Sequence, residues 1–335
     1  MDIGLFDVDS RNFPNLPLMK ISAWHKAQGD NVEFVLPLKH YDKIYVSKVF
    51  GDEYSQMSDY CLQADEIVFG GTGFAITVEN GKEVYHKDRD PNLPDEIEHI
   101  YPDYSLYPEL TKGKAFGFLT RGCCNNCDFC IVSKKEGMCS KKVADLSEFW
   151  RGQKEIVLLD ANILAYKDRI ELLEQLADSK AYVDFTQGLD ARYITEDVAR
   201  ALAKVKKSVV HFAFDFMKNE AAILRGLNIY RRYNKINDKD SVYILTNFNT
   251  TVDEDLYRVR KVQEIGFLPD VRIYRKTTAP QILRDLQRWA NNRILYRTTS
   301  FMNYIPRSDG KRIKDLYFNG AIKNETDGRR KISIQ

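Results

Sequence analysis

Four of the six cysteines fall within the eight residues from Cys123 to Cys130, unlike the dispersed cysteines of a secreted disulfide scaffold. The run Phe116-Gly117-Phe118-Leu119-Thr120-Arg121-Gly122-Cys123-Cys124-Asn125-Asn126-Cys127-Asp128-Phe129-Cys130 contains Cys-x3-Cys-x2-Cys at Cys123, Cys127 and Cys130. Thiolates are soft ligands that suit iron and zinc, and three on a short loop can converge on one centre. Three is one fewer than a closed site needs. Structural zinc would draw its fourth ligand from Cys61 or Cys139, and no further cysteine pair lies elsewhere in the chain. The same spacing would also put three small residues on one buried helix face, but Gly122 and Asn125-Asn126 oppose a continuous helix here. An iron-sulfur centre is the favoured reading, with zinc and core cysteines as its alternatives. Cys124 and Cys139 fall outside the motif and read as packing or loop residues.

The elements that must position this loop repeat along the chain. Ala115 to Thr120 reads as a strand leading into it, and further strands are expected over Glu155 to Leu159, Tyr182 to Thr186, Ser208 to Phe214, Ser241 to Thr246 and Asp270 to Tyr274. Helical periodicity lies between them in Asp168 to Ala177, Thr195 to Val205, Glu220 to Tyr233 and Glu254 to Ile265. Six such units predict a partial (β/α)6 barrel of the TIM type over 114–280, whose chemistry would gather at the carboxyl ends of the strands. Residues 1–90 alternate strands (Ile3 to Val8, Val32 to Leu36, Lys43 to Val49, Glu66 to Phe69) with a helix closing at Gly29, which predicts a parallel, Rossmann-like α/β sheet. The Pro-, Asp- and Tyr-dense stretch 91–113 reads as a linker. Residues 281–335 read as a helical extension with a basic tail, ending in a disordered stretch from Asn324 to Gln335.

With 335 residues, 44% apolar and 12% aromatic, the chain can bury a sizeable core. Its 50 basic residues nearly cancel 48 acidic ones, so whole-molecule charge does not advertise a nucleic-acid partner. No apolar run approaches the roughly 18 residues of a membrane span, and Met1 to Asp9 lacks a basic leader. A cytoplasmic protein without a membrane partner is expected.

Cys123-x3-Cys127-x2-Cys130 after a first barrel strand resembles the signature of the radical S-adenosylmethionine enzymes. The resemblance implies a 4Fe-4S cluster held by these three cysteines, its fourth iron chelated by S-adenosylmethionine, and Phe129 packed near the adenine. It implies reductive cleavage to methionine and a 5′-deoxyadenosyl radical that abstracts hydrogen from an unidentified substrate, with flavodoxin or ferredoxin as the reducing partner. Members of the family bind the cosubstrate along the strand edges, which makes Asp160, Asn162, Gln187, Asp190, Arg192, Asp215 and Asn247 candidate contacts. Arg192 suits the cosubstrate carboxylate and Asp215 a ribose hydroxyl, while helix caps and ordinary loop charges are the plainer roles. No catalytic residue is singled out. The first ninety residues also resemble the cobalamin-binding-like domain ahead of many such barrels. The Asp-x-His-x-x-Gly motif of a lower axial histidine is missing, and His25 has no Asp two residues before it, so cobalamin is not expected.

Three function classes follow. Arg258, Arg260, Lys261, Arg272, Arg275, Lys276, Arg284, Arg288, Arg293 and Arg297, interleaved with Tyr274, Trp289 and Tyr296, suit an RNA or nucleotide substrate, against a solvated helix face over buried aromatics. A peptide or small metabolite is the alternative substrate. RNA methylthiolation is disfavoured, because such enzymes usually carry additional cluster ligands and an RNA-binding tail domain, and only Cys61 and Cys139 remain outside the cysteine loop. A non-catalytic iron-sulfur regulatory protein is the third class.

Overall fold

A computed structural model of the chain describes residues 1–57, 61–79, 82–308 and 310–318. Asn324 to Gln335, expected to be disordered, lies outside the described residues. Two compact units result, Met1–Leu189 with Arg200–Ser208, and Asp190–Ala199 with Val209–Gln335.

In the first unit, β1 (Asp2–Asp7), α1 (Leu16–Ala27), β2 (Asn31–Phe34), β3 (His40–Ser47) and β4 (Gln63–Gly70) build a parallel sheet in the order β2-β1-β3-β4. Asn15 caps α1 by accepting from the Leu18 amide at 3.2 Å. The helix then lays Leu18 and Ile21 on Ile3 and Leu5 of β1, each such buried side chain stabilising by about 1.5–3 kcal/mol. An antiparallel hairpin follows, β5 (Ile76–Glu79) and β6 (Lys82–Tyr85). The stretch expected to be a linker carries α2 (Asp95–Glu98), whose Ile97 joins the same core. Tyr107 donates to Asp7 at 2.6 Å, which binds this stretch to the end of β1.

A second sheet of this unit is built from β7 (Lys114–Gly117), β10 (Glu155–Leu158), β11 (Tyr182–Phe185) and β12 (Lys207–Val209), in the order β12-β11-β10-β7. β10 pairs in parallel with both β7 and β11. Between β7 and β10 lie the antiparallel pair β8 (Thr120–Arg121) and β9 (Lys141–Lys142) and the short α3 (Val132–Glu136). In the chain α4 (Arg169–Asp178) lies between β10 and β11, and α5 (Glu196–Lys204) between β11 and β12, its first four residues falling in the second unit.

The second unit holds the parallel sheet β13-β14-β15, from β13 (His211–Ala213), β14 (Ser241–Thr246) and β15 (Leu268–Ile273). Its helices are α6 (Glu220–Tyr233), α7 (Val252–Glu264), α8 (Gln281–Ala290), α9 (Arg293–Thr298) and α10 (Ile313–Tyr317). A reciprocal box between Thr251 and Glu254 starts α7.

The expected strand Ser208 to Phe214 divides. At Val210 the amide donates to Asp240 Oδ1 at 3.1 Å and the carbonyl accepts from Ser241 at 3.1 Å, so the chain exchanges one set of partners for another. β12 therefore belongs to one sheet and β13 to another, and among the described residues no single six-stranded or closed barrel sheet forms. What stands is a mixed α/β fold with parallel sheets. Among the described residues no helix is long and apolar enough to cross a membrane.

Candidate active site

The cysteine loop leaves β7 through a backbone held by one buried carboxylate. Asp160, just beyond β10 and 4% exposed, accepts from the Leu119 amide at 3.1 Å, from the Thr120 hydroxyl at 2.7 Å and from the Thr120 amide. Two residues on, buried Asn162 places its amide nitrogen 3.7 Å from the Cys123 sulfur. The turn into Cys123 requires glycine, because Gly122 has φ 92° and a Cβ there would lie 2.1 Å from the Cys139 carbonyl oxygen. Beyond it, Cys123 donates its amide to the Gly137 carbonyl at 3.1 Å and Cys130 donates to the Cys127 carbonyl at 2.9 Å.

The six cysteines are all described, and no disulfide joins any two of them. Three thiols on one tight loop are the donor set a soft metal centre takes. As placed they are not gathered into a cage, since among the described residues no three His, Cys, Asp or Glu side chains stand close enough to hold one ion. The donor chemistry fits the cluster, with Cys123, Cys127 and Cys130 as the residues that would hold it.

Of the expected cosubstrate contacts, Asp160 and Asn162 stand at the cysteine loop in the first unit. Phe129 is half-buried within the loop, and Gln187 is exposed on the turn after β11. The rest belong to the second unit. There Asp190 and Arg192 are each other's partners, Nε to Oδ1 at 2.8 Å and Nη2 to Oδ2 at 2.6 Å, and Asp190 also caps the turn by accepting the Arg192 amide at 3.2 Å. Asp215 accepts the Leu245 amide at 3.2 Å, and burial pushes its carboxyl above the usual range. Asn247, at φ 62°, donates to the Tyr274 carbonyl at 2.8 Å. His25 is 4% exposed and has both ring nitrogens engaged, Nδ1 with Asp30 at 2.6 Å and Nε2 with the Tyr45 hydroxyl at 3.0 Å.

Two of the residues grouped above as an RNA-facing set are core residues. Arg258 is fully buried, donating to the carbonyls of Phe214 (2.6 Å), Asp215 (3.0 Å) and Leu245 (2.7 Å) and pairing with buried Asp255. Trp289 is 4% exposed and packs on Tyr296 and Phe301. The signal lay in the spacing, because Asp255 and Arg258 share the i, i+3, i+4, i+7 face of α7 with the apolar Val259 and Val262. Glu136, which receives the Gly122 amide at 3.1 Å, had no comparable sequence signature.

Burial pushes the Asp160 carboxyl from 3.8 up to about 6, against the pull of its three donors. A raised folded value means this group's stabilising term is full below about pH 4 and lost as pH climbs through 6. Urea denaturation is expected to show stability falling by about 3 kcal/mol across that window from this group alone. Asp160→Asn flattens that part of the profile, while setting an amide N–H against the Leu119 N–H lowers stability at every pH.

No family model matches the chain. Among curated proteins it is similar to the tRNA-2-methylthio-N(6)-dimethylallyladenosine synthase of Clostridium tetani (strain Massachusetts / E88), 29% identical over 136 residues, covering 36% of this chain and 30% of that protein. The enzyme of that name from Bordetella avium (strain 197N) is 24% identical over 168 residues, 43% of this chain and 34% of that protein. The match thus spans about a third of each relative's length. Among solved structures, a radical S-adenosylmethionine methyltransferase, TsrM, from Kitasatospora setae, with cobalamin and 4Fe-4S cluster bound, shares the fold at a TM-score of 0.57. Identity is 11%, over 82% of this chain and 75% of that one. With the Cys-x3-Cys-x2-Cys loop at the end of β7, the chain is similar in part of its sequence to tRNA-methylthiolating synthases and in its fold to a radical S-adenosylmethionine methyltransferase.

Proposed function

We propose that the chain reductively cleaves S-adenosylmethionine and modifies its substrate by hydrogen abstraction, with Cys123, Cys127 and Cys130 as the ligands of a 4Fe-4S cluster. The carrying observation is the three-thiol loop whose entry is fixed by Asp160 and whose first sulfur meets the Asn162 amide. When bound, the cluster supplies the electron that cleaves the sulfonium to methionine and a 5′-deoxyadenosyl radical. The chain's own residues do the rest. Asp160 holds the strand end, Gly122 turns the chain toward Cys123, and Asn162 directs an N–H at the Cys123 sulfur, the kind of bond that tunes a cluster's potential. Phe129, Gln187, Asp190, Arg192, Asp215 and Asn247 remain the proposed cosubstrate contacts. The six βα repeats are assigned to a partial (β/α)6 barrel, the front sheet to a Rossmann-like domain, and the reductant to a flavodoxin or ferredoxin. Anaerobic reconstitution followed by dithionite and S-adenosylmethionine is expected to release 5′-deoxyadenosine. A reconstituted protein that releases none overturns the assignment.

An RNA substrate is the second reading, favoured by the relatives' printed activity on tRNA. That activity, a methylthiolation, brings back the chemistry the cysteine count disfavoured. Exposed Arg272, Arg288, Arg293 and Arg297 in the second unit offer phosphate contacts, whereas Arg258 and Trp289 do not. Four such contacts would give a slope of about −3 in the logarithm of RNA affinity against that of salt. Filter binding between low and moderate salt measures it, and a flat response excludes those contacts.

The neighbour's bound cobalamin runs against the expectation drawn from the missing motif. His25, with both ring nitrogens occupied, offers no axial ligand as placed. Visible absorption of the desalted protein after incubation with hydroxocobalamin decides between the two.

A further inference from the structure

We infer that Glu136 is a positioning residue that closes the cysteine loop, and that Lys135 beside it fastens that closure to the front part of the first unit. The inference rests on the cluster assignment above. Both residues end α3, which begins two residues after Cys130. Glu136 Oε2 accepts the Gly122 amide at 3.1 Å, so the residue before the first cysteine is tied to the helix after the last. Its other oxygen faces Arg121 Nη1 at 3.5 Å. Arg121 stacks over Phe118 at 4.0 Å and reaches Glu98 at 3.4 Å, and Glu98 in turn pairs with buried Lys20 of α1 at 3.0 Å. Signs alternate along this chain of four, each charge meeting its opposite.

Lys135 runs the other way. Its ammonium pairs with buried Asp90 at 3.4 Å and donates to the Thr72 hydroxyl, and its carbonyl accepts from Lys87 at 2.5 Å. Lys135 thus holds the segments after β4 and β6 directly, while Glu136 reaches α2 and α1 through Arg121. Three thiols that are not pre-gathered need such anchoring, because a loop free to open at Gly122 would surrender the centre through its first ligand.

The full-length chain is reconstituted anaerobically and challenged with an iron chelator, reading loss of cluster absorbance, iron and sulfide. Glu136→Ala, which orphans the Gly122 amide, is expected to lose its cluster roughly tenfold or more faster than wild type. Glu136→Gln keeps an acceptor for that amide and is expected to restore the rate to within about threefold. Ala and wild type losing cluster at equal rates overturns the inference, as does Gln failing as badly as Ala. Should the Ala variant not fold, Lys135→Met carries the test, with a rate about threefold above wild type expected and an unchanged rate overturning the fastening role. A wild-type chain that takes up no iron and sulfide overturns the cluster assignment as well, so the two failures are distinguishable.

Discussion

Cys123→Ser, Cys127→Ser and Cys130→Ser are each expected to lower iron and sulfide retained after reconstitution and desalting, and to cut 5′-deoxyadenosine formation by at least roughly a hundredfold. A serine hydroxyl is a hard ligand that stays protonated at neutral pH, while iron in a sulfide cluster is matched to thiolate. The effect should be uneven. The Cys123 sulfur has the Asn162 amide at 3.7 Å and sits one residue past the Glu136 tie, so its replacement also removes the acceptor of that amide. Cys61→Ser, Cys124→Ser and Cys139→Ser, all at exposed positions, are expected to leave iron content unchanged. Iron retained in full by the three motif variants would sink the assignment, and iron lost from Cys139→Ser would return a four-thiolate site to consideration.

Sequence and structure meet best where one residue type at one spacing has one physical meaning. β14 is of that kind, where Ser241–Thr246 forms as expected because the strand is apolar on both faces and flanked by turns. The hidden parts depend on distant partners. Val210 looks like the middle of a strand, yet Asp240, thirty residues away, takes its amide where β12, paired in the sheet of β11, gives way to β13. Asp160 looks like a strand-end ligand contact, but its oxygens are spent on Leu119 and Thr120. Asp190 and Arg192 satisfy each other two residues apart, so any carboxylate of a cosubstrate would have to compete with a bidentate pair already made. Residues 91–113, read as a linker from their Pro and Asp, bury Ile97 because an apolar residue in a turn-rich stretch can still find a core.

Arg258→Met is expected to destabilise the chain by about 3–5 kcal/mol in urea denaturation. The size follows from what stays behind. Asp255 is wholly buried, and without the guanidinium its carboxylate loses the cation it pairs with. The carbonyls of Phe214, Asp215 and Leu245 also lose donors at 2.6, 3.0 and 2.7 Å, in a place water reaches poorly. Removing both members of the pair should cost much less, so Asp255→Leu with Arg258→Met is expected to recover more than half of the loss. A double variant no better than the single one would mean that the carbonyl bonds, not the stranded charge, carry the energy. The consequence for function is local. Arg258 ties α7 to the carboxyl ends of β13 and β14, where Asp215 receives the Leu245 amide. Hydrogen exchange at Leu245 is therefore expected to quicken in Arg258→Met well before the unit as a whole unfolds. Protection unchanged at Leu245 would show that the β13–β14 edge holds without its arginine.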